Sequence, residues 1–209
     1  TFITSTLQQE ASQKLGFSVK QTMTIAQNLY REGSITYMRT DSFNLSETAI
    51  EAAGKVIEQE FGAEYHNVRR FKTKDSGAQE AHEAIRPTDL TKPSIYGVDE
   101  QTAKLYSLIY KRTLASQMSD AQLQKTQIKV TVSNADEKFL ANGEILTFPG
   151  FLKVYDYLSA DDKLLPDLSK GDSLTLASFS ARESFSRAKP RYTEASLVKK
   201  VEEMGNREL

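Results

Sequence analysis

The chain has 209 residues, 39% of them hydrophobic, and a formal net charge of −1 at neutral pH. This length suffices for one sizeable domain or two small ones, and the absence of cysteine excludes disulfides, thiolate metal sites and thiol nucleophiles. The near-neutral charge does not favour a nucleic-acid binder, although phosphate contacts require only local positive charge. The sequence shows neither an apolar run long enough to span a membrane nor a signal-peptide pattern at its start.

The first 62 residues predict three helices, because apolar residues recur at helical spacing between capping and terminating signals. The candidate N-caps are Thr4, Ser5 or Thr6, then Ser18 and Ser46, and the terminating glycines are Gly16, Gly33 and Gly62. The predicted apolar stripes are Val19, Met23, Ala26, Leu29 and Tyr30 in the second helix, and Ala49, Ile50, Ala53, Val56, Ile57 and Phe61 in the third.

Residues 34–42, with the sequence SITYMRTDS, predict a short extended segment between the second and third helices. Alternate side chains of an extended segment share a face. One face would carry Tyr37, Arg39 and Asp41, and the other Thr36, Met38 and Thr40. A tyrosine and an arginine two residues apart are usually a half-buried surface pair. A phenol beside a permanent cation also suits a phosphate, because one group can attack the phosphorus while the other holds its oxygens.

The middle of the chain predicts irregular structure followed by one long helix. Residues 63–77 are polar, and their basic run is either a solvated loop or a contact to the DNA backbone. Residues 79–86 predict a short helix or turn that Pro87 ends, and Asp99 caps a helix that extends to about Met118. The basic run consists of Arg69, Arg70, Lys72 and Lys74, and the core face of the long helix consists of Leu105, Tyr106, Ile109, Tyr110, Leu114 and Met118.

The last third predicts strands and then a helix. Apolar residues alternate with polar ones from Gln124, and Asn142-Gly143 is a dipeptide suited to a hairpin turn. Further strands are predicted at 144–148, at 151–157 and from Leu174 past Phe179. Pro190 marks a boundary, after which Thr193 can cap a helix that Gly205 closes. The fold class predicted is therefore α+β, a helical part followed by a β-rich part.

Four stretches, in this order, resemble type IA DNA topoisomerases, and in particular their bacterial topoisomerase I branch. The motif ITYMRTDS, in which Met38 is typical of that branch, and the stretch AQEAHEAIRP are the specific ones. The four stretches are FITSTLQQ at 2–9, ITYMRTDS at 35–42, AQEAHEAIRP at 78–87 and PRYTEASLVK at 190–199. Together they span nearly the whole chain.

The resemblance implies a division into parts. Residues 1–122 would be the helical domain with the nucleophilic tyrosine, residues 123–189 a β-rich arch or hinge segment, and residues 190–209 the truncated start of a helical DNA-binding domain. The chain begins at Thr1 without an initiator methionine and is expected to be a fragment of a longer polypeptide. The family's N-terminal Toprim domain, with its acidic Mg²⁺-binding cluster, is not in this sequence.

The resemblance also implies an activity. Such enzymes cleave one DNA strand through a 5′-phosphotyrosine link, pass a strand and reseal it without ATP, which relaxes negatively supercoiled DNA. The expected partners are single-stranded DNA, negatively supercoiled duplex DNA and the remaining domains of the same polypeptide, in the cytoplasm with the nucleoid. The fragment is expected to be inactive without the Toprim domain and its Mg²⁺. The alternatives are a non-catalytic DNA-binding or gating module of related fold, and an unrelated helical interaction protein.

The site residues follow from the same resemblance. Tyr37 would be the nucleophile and Arg39 would stabilise charge on the phosphate, unless Arg39 forms a structural ion pair with Asp41. The residues expected to contact DNA are Thr36, Thr40, Ser42, His82, Arg86, Thr4 and Ser5. Each of these residues also has an alternative role. The hydroxyls of the motif could bond to local backbone, His82 could be a structural hydrogen-bonding residue, and Arg86 could pair with an acidic side chain. No metal ligands are predicted, since Asp161-Asp162 lacks a third ligand, and His66 is expected at the surface.

Overall fold

The computed structural model describes residues 1–71, 82–132, 135–155, 165–178 and 180–204. These residues form five α-helices and one two-stranded antiparallel hairpin, which confirms the predicted α+β class. The elements are α1 (Thr4–Leu15), α2 (Val19–Arg31), α3 (Glu47–Glu60), α4 (Glu100–Ser116), β1 (Gln122–Val132), β2 (Ala135–Phe148) and α5 (Glu194–Glu203). Within the described parts of the chain, no helix is long and apolar enough to cross a membrane.

The chain divides into two compact units. The first comprises Thr1–Ala121 and the described parts of Pro149–Leu158 and Tyr192–Leu209, and it contains all five α-helices. The second comprises Gln122–Phe148 and the described parts of Ser159–Arg191, and it contains the hairpin.

The predicted capping residues begin three of the four helices in the first half of the chain. Ser18 Oγ accepts from Gln21 N at 3.1 Å, and Asp99 Oδ1 accepts from Gln101 N at 2.9 Å. Ser46 caps α3 in the same way. Helix α1 begins at Thr4 with Ile3 as its N-cap, so the three predicted capping residues, Thr4, Ser5 and Thr6, lie inside its first turn.

The core of the first unit surrounds α4, against which α1, α2 and α3 all pack. The predicted core face of α4 and the predicted stripe of α3 up to Ile57 are buried. The largest fully buried side chains are Tyr106, Phe2, Leu7, Leu29, Ile35, Met38, Ile57, Ile85, Leu105, Ile109, Leu114 and Met118. Five of these, Phe2, Ile35, Met38, Ile85 and Met118, come from segments that are not helical, so burial anchors those segments as firmly as the helices.

His66, expected at the surface, is partly buried against α3. The side chain is 19% exposed, and its Nδ1 lies 2.7 Å from Glu58 Oε1. Its ring lies so close to α3 that a Cβ added to Gly54 would come within 2.5 Å of Cε1. A glycine in the middle of a helix is unfavourable, and here the missing side chain makes room for the imidazole.

In the second unit, β1 and β2 pair antiparallel, with Gln127 opposite Asn142 and Thr126 opposite Gly143. The predicted turn at Asn142-Gly143 is therefore wrong, because both residues lie within β2. Gln127 Nε2 donates to Asn142 Oδ1 at 2.9 Å across the two strands. The connection falls at residues 133–134, which lie outside the described residues. Cross-strand pairing along eleven residues of β1 outweighs the local turn preference of the dipeptide.

Two further predicted strands are wrong where the chain is described. Residues Gly150–Lys153 form a 3₁₀ turn, in which Leu152 N donates to Pro149 O at 3.0 Å and Val154 N donates to Phe151 O at 3.2 Å. Residues 172–178 form no strand, and Leu174 and Leu176 are 52% and 76% exposed. With both leucines in solvent, no buried face favours an extended pairing there. Residues 156–157, Phe179 and Gly205 lie outside the described residues.

Candidate active site

Three of the four stretches that carry the resemblance lie side by side in the first unit. Ile85 N donates to Phe2 O at 2.9 Å, and Thr36 N donates to Arg86 O at 2.9 Å. Thr4 N donates to Thr40 O at 3.0 Å. The segment 34–42 thus bonds on one side to the start of α1 and on the other to residues 84–88. The fourth stretch forms α5, which packs against α1.

Residues 36–42 alternate in exposure as their sequence predicts, although bends and one isolated bridge from Ile35 to Pro87 replace a regular strand. Met38 is 2% exposed, and Thr40 and Ser42 are buried with it. Tyr37 is 44% exposed, and Arg39 and Asp41 are exposed as well. The buried half of the motif fixes the backbone, and the other half faces solvent.

Hydroxyl groups hold the buried half of the motif to α1. Thr4 Oγ1 donates to Met38 O at 2.9 Å and accepts from Thr40 N at 2.9 Å. Thr40 Oγ1 accepts from Ser42 N at 3.1 Å, and Ser42 Oγ accepts from Asn44 N at 3.2 Å. Hydroxyls that cap backbone groups in this way stabilise a bent segment that forms no ladder of its own.

A second set of bonds, which we call the Thr36–Glu83–Arg86 clamp, holds the other side. Thr36 Oγ1 donates to Ala84 O at 2.7 Å and accepts from Arg86 N at 2.9 Å. Arg86 Nη2 donates to Glu83 Oε2 at 2.6 Å, and Glu83 Oε1 accepts from Ser46 N at 2.7 Å. The side chain of Arg86 is only 13% exposed. The clamp therefore connects the motif, the stretch 83–86 and the start of α3.

The charge on Glu83 is stabilised by this arrangement. Partial burial alone would raise the pKa of Glu83, but the hydrogen bonds from Ser46 and Arg86 outweigh it and lower the pKa. Glu83 is thus a carboxylate at neutral pH and balances the charge of Arg86.

Tyr37, Arg39 and Asp41 contrast with these bonded residues. Among the described residues, the contact of the Tyr37 ring is with Tyr30, at 5.2 Å between ring centroids. Neither Arg39 nor Asp41 forms an ion pair or hydrogen bond with another described residue, so their alternative as a structural pair is not seen. The site exposes a phenol and a guanidinium without a partner among the described residues, and these groups can respectively attack and hold a phosphate.

Ser5 and His82 are the remaining predicted contacts. Ser5 Oγ is buried and has no hydrogen-bond partner among the described residues. His82 is partly exposed and lies directly after residues 72–81, which fall outside the described chain.

The basic run is partly neutralised. Arg69 Nη2 lies 2.8 Å from Asp120 Oδ1, and Arg70 forms a two-bond pair with Glu47. Lys72, Lys74 and the Asp161-Asp162 pair lie outside the described residues.

A Mg²⁺ ion prefers carboxylate and water oxygens in near-octahedral geometry. Within the described ranges, no group of three acidic or histidine side chains lies close enough together to hold a metal ion. The described residues therefore do not fit the metal that the resemblance implies.

The fold and the site define a helical unit that exposes a tyrosine and an arginine on one segment, and comparison with known proteins identifies its class. The family model described as DNA topoisomerase matches residues 1–205, and the chain belongs to this family, in its bacterial type IA branch.

Individual relatives agree with this assignment. The chain is 45% identical to DNA topoisomerase 1 of Zymomonas mobilis and 46% identical to DNA topoisomerase 1 of Mycobacterium tuberculosis, over 98% of its length in each case. The structure of full-length topoisomerase I from Thermotoga maritima matches with a TM-score of 0.77 and 38% identity, covering 98% of this chain and 34% of that one. The chain spans 18% and 24% of the two curated relatives.

Sequence reasoning missed two residues at this site. Tyr30 was placed in the apolar stripe of α2, but it is 41% exposed and touches Tyr37. The sequence signal for a contact between the two tyrosines was their spacing of seven residues across a glycine turn. Glu83 was not singled out, although its position three residues before Arg86 is a common spacing for a charged pair.

Proposed function

We propose that this chain supplies the nucleophile of a bacterial type IA DNA topoisomerase, which transiently cleaves one strand and relaxes negatively supercoiled DNA. The observation that carries the proposal is the exposed Tyr37 phenol two residues before Arg39, which has no ion-pair partner among the described residues, on a segment whose intervening residue Met38 is buried. Family membership supports it, because relatives named DNA topoisomerase 1 align over nearly the whole chain.

The chemistry is an exchange of esters. Tyr37 Oη attacks the phosphorus of a DNA phosphodiester and loses its proton, while the bond from phosphorus to the 3′ oxygen breaks. The 3′ oxygen takes up a proton and leaves as a hydroxyl, and the 5′ phosphate stays on Tyr37. The reverse attack reseals the strand. One phosphate ester replaces another, so no external energy source is needed, and a phenolate leaves more readily than an alkoxide.

Arg39 is proposed to stabilise the charge that grows on the phosphoryl oxygens during both steps. Its guanidinium is permanently charged and forked, and it stands in solvent without a described carboxylate partner. It can therefore bind a phosphate without first breaking an ion pair.

The remaining predicted residues are proposed to act in two ways. His82 and Ser5 are proposed DNA contacts, and the Ser5 hydroxyl, which is buried without a partner among the described residues, would have to become exposed to reach a phosphate oxygen. Thr4, Thr36, Thr40, Ser42 and Arg86 already bond within the protein. We propose that these five residues mainly hold the motif in place. Any contact that they make with DNA would use the hydrogen-bonding positions that these internal bonds leave open.

The Mg²⁺-binding acids and the substrate path are proposed to belong to other domains of a longer polypeptide. The proposed partners are single-stranded DNA, negatively supercoiled duplex DNA and those domains, in the cytoplasm with the nucleoid. The chain alone is expected to bind DNA weakly and not to cleave it, because it carries the nucleophile without the groups that assist the leaving oxygen.

The proposal is tested in the longer protein by trapping the covalent complex with denaturant. The parent protein should retain labelled single-stranded DNA, and Tyr37→Phe should retain none while still binding DNA. Tyr96→Phe is the matched control, since Tyr96 is 91% exposed and lies far along the chain from the motif. An adduct that persists in Tyr37→Phe would refute the assignment. DNA binding by the parent without any adduct would favour the non-catalytic DNA-binding or gating module.

A further inference from the structure

Two tyrosine rings touch at the exposed end of α2. The centroids of Tyr30 and Tyr37 are 5.2 Å apart and their planes are inclined by 66°. This is the edge-to-face geometry that aromatic rings prefer, and such a contact stabilises a pair beyond the area it buries.

Burial does not explain the contact. Tyr30 is 41% exposed and Tyr37 is 44% exposed, so both rings remain largely in solvent. One direct neighbour of each tyrosine is buried, with Leu29 at 0% and Met38 at 2%. The core thus fixes the backbone next to each tyrosine, and the two rings stand on that fixed backbone outside the core.

The turn between the helix and the motif sets the distance between the rings. Gly33 N donates to Tyr30 O at 2.9 Å, and Ser34 N donates to Leu29 O at 2.8 Å. Gly33 has φ +72°, a conformation that glycine adopts without strain. The chain reverses within three residues and brings residue 37 back beside residue 30.

The phenol of Tyr37 makes no hydrogen bond to another described residue. Its hydroxyl therefore does not fix the direction of the ring, and rotation about the side-chain torsions would move Oη by several ångströms. A nucleophile reacts fastest when it is held close to the attack geometry. The contact with Tyr30 supplies such a restraint.

We propose that Tyr30 is a positioning residue for the nucleophile: its ring holds the Tyr37 ring in an orientation from which Oη reaches the scissile phosphate. This inference rests on the proposed function, since it presumes that Tyr37 attacks DNA. It assigns the role to the ring of Tyr30 and not to its hydroxyl, because the observed contact is between rings. It also predicts an effect on the chemical step and not on DNA affinity.

The test measures single-turnover cleavage rates and DNA affinity in the longer protein for Tyr30→Phe, Tyr30→Leu and Tyr30→Ala. Tyr30→Phe keeps the ring and should cleave at the parent rate. Tyr30→Ala and Tyr30→Leu should cleave roughly two- to tenfold more slowly, the range expected for loss of one aromatic contact. Their DNA affinity should be unchanged. Tyr30→Leu decides the question should Tyr30→Ala fail to fold, and Tyr96→Ala is the control for an exposed tyrosine.

Three results would overturn the inference. Equal cleavage rates in all variants would show that the contact is dispensable. A parallel loss of affinity and rate would make Tyr30 a surface on which a DNA base stacks. A loss in Tyr30→Phe as large as in Tyr30→Ala would assign the effect to the hydroxyl. Absence of an adduct on Tyr37 in the parent protein would instead be a failure of the proposed function, and the two failures are therefore distinguishable.

Discussion

Arg39 carries the free charge of the candidate site. Its neighbours in the motif are buried and hydrogen-bonded, whereas its guanidinium is exposed and has no described ion-pair partner. A side chain that binds the phosphate equally before and during the reaction would affect only affinity. One that binds the transition state more strongly would affect the rate.

We expect Arg39→Ala to lower the cleavage rate about 100- to 1000-fold, the effect of removing one donor to a developing oxyanion. DNA affinity should fall much less. Arg39→Lys keeps the charge without the fork and should recover part of the rate. Rapid-quench experiments measure the cleavage rate, and equilibrium binding measures the DNA affinity. Lys55→Ala, on the exposed face of α3, is the control for loss of one positive charge. Equal losses of rate and affinity would make Arg39 a residue that only positions DNA.

At the scale of elements, the position of the motif depends on bonds between segments and not on a regular sheet. The Thr36–Glu83–Arg86 clamp joins the motif to the stretch 83–86 and, through Ser46 N, to the first turn of α3. The ion pair at its centre is largely shielded, with Arg86 13% exposed and Glu83 30% exposed. Removing one partner leaves the other charge without compensation, which is costly at such a site.

Glu83→Gln should destabilise the first unit at neutral pH by about 2 kcal/mol, the scale of hydrogen bonds to a charged group. The pKa of Glu83 is lowered by folding. Its contribution is therefore complete above the ordinary carboxyl pKa of 4.5 and is lost as pH falls through the lower folded value. The difference between parent and variant should shrink as the pH falls below 4.5.

Urea unfolding followed by helical circular dichroism measures this difference. Glu51→Gln, which alters an exposed carboxylate on α3, is the matched control and should show no such pH dependence. A stability difference that stays constant or grows toward acid pH would contradict the role assigned to the clamp.

The helices could be predicted from the sequence because their signals are local. Ser18, Ser46 and Asp99 each cap the helix that follows, and the apolar stripes of α3 and α4 are buried as their spacing indicates. The pairing register of the hairpin could not be predicted. Asn142-Gly143 favours a turn locally, but pairing with Gln127 and Thr126 places it within β2. Contacts between residues distant in sequence decide such cases.

The exposure pattern of the motif could be predicted from the sequence, but the contacts of its side chains could not. The alternation of exposure along 36–42 follows from the sequence pattern and is seen in the structure. The internal use of the Thr36 hydroxyl and of Arg86 depends on residues 83–86 lying beside the motif, which spacing along the chain does not reveal. The exposure of Tyr30 was not predicted for a related reason. Helical periodicity places Tyr30 on the apolar face of α2 but does not show that the last turn of this helix extends past the core.

At the scale of the whole molecule, the backbone around Tyr37 is anchored while its phenol is exposed. Core residues from three segments, Phe2, Ile35 and Ile85, anchor the backbone around Tyr37, and α5 closes against α1 in the same unit. The hairpin belongs to a separate unit. This arrangement suits a protein that must present one phenol reproducibly to a DNA strand contributed by its surroundings.

The most direct test of this account is to identify the residue that becomes attached to DNA. The longer protein is trapped on a short single strand, digested with trypsin and nuclease, and analysed by mass spectrometry. Trypsin cuts after Arg31 and Arg39, so Tyr37 is the single tyrosine of the peptide 32–39. The account predicts that this peptide carries a nucleotide joined through its 5′ phosphate to Tyr37. An unmodified peptide 32–39 together with a nucleotide on another residue, or a link through a 3′ phosphate, would contradict it.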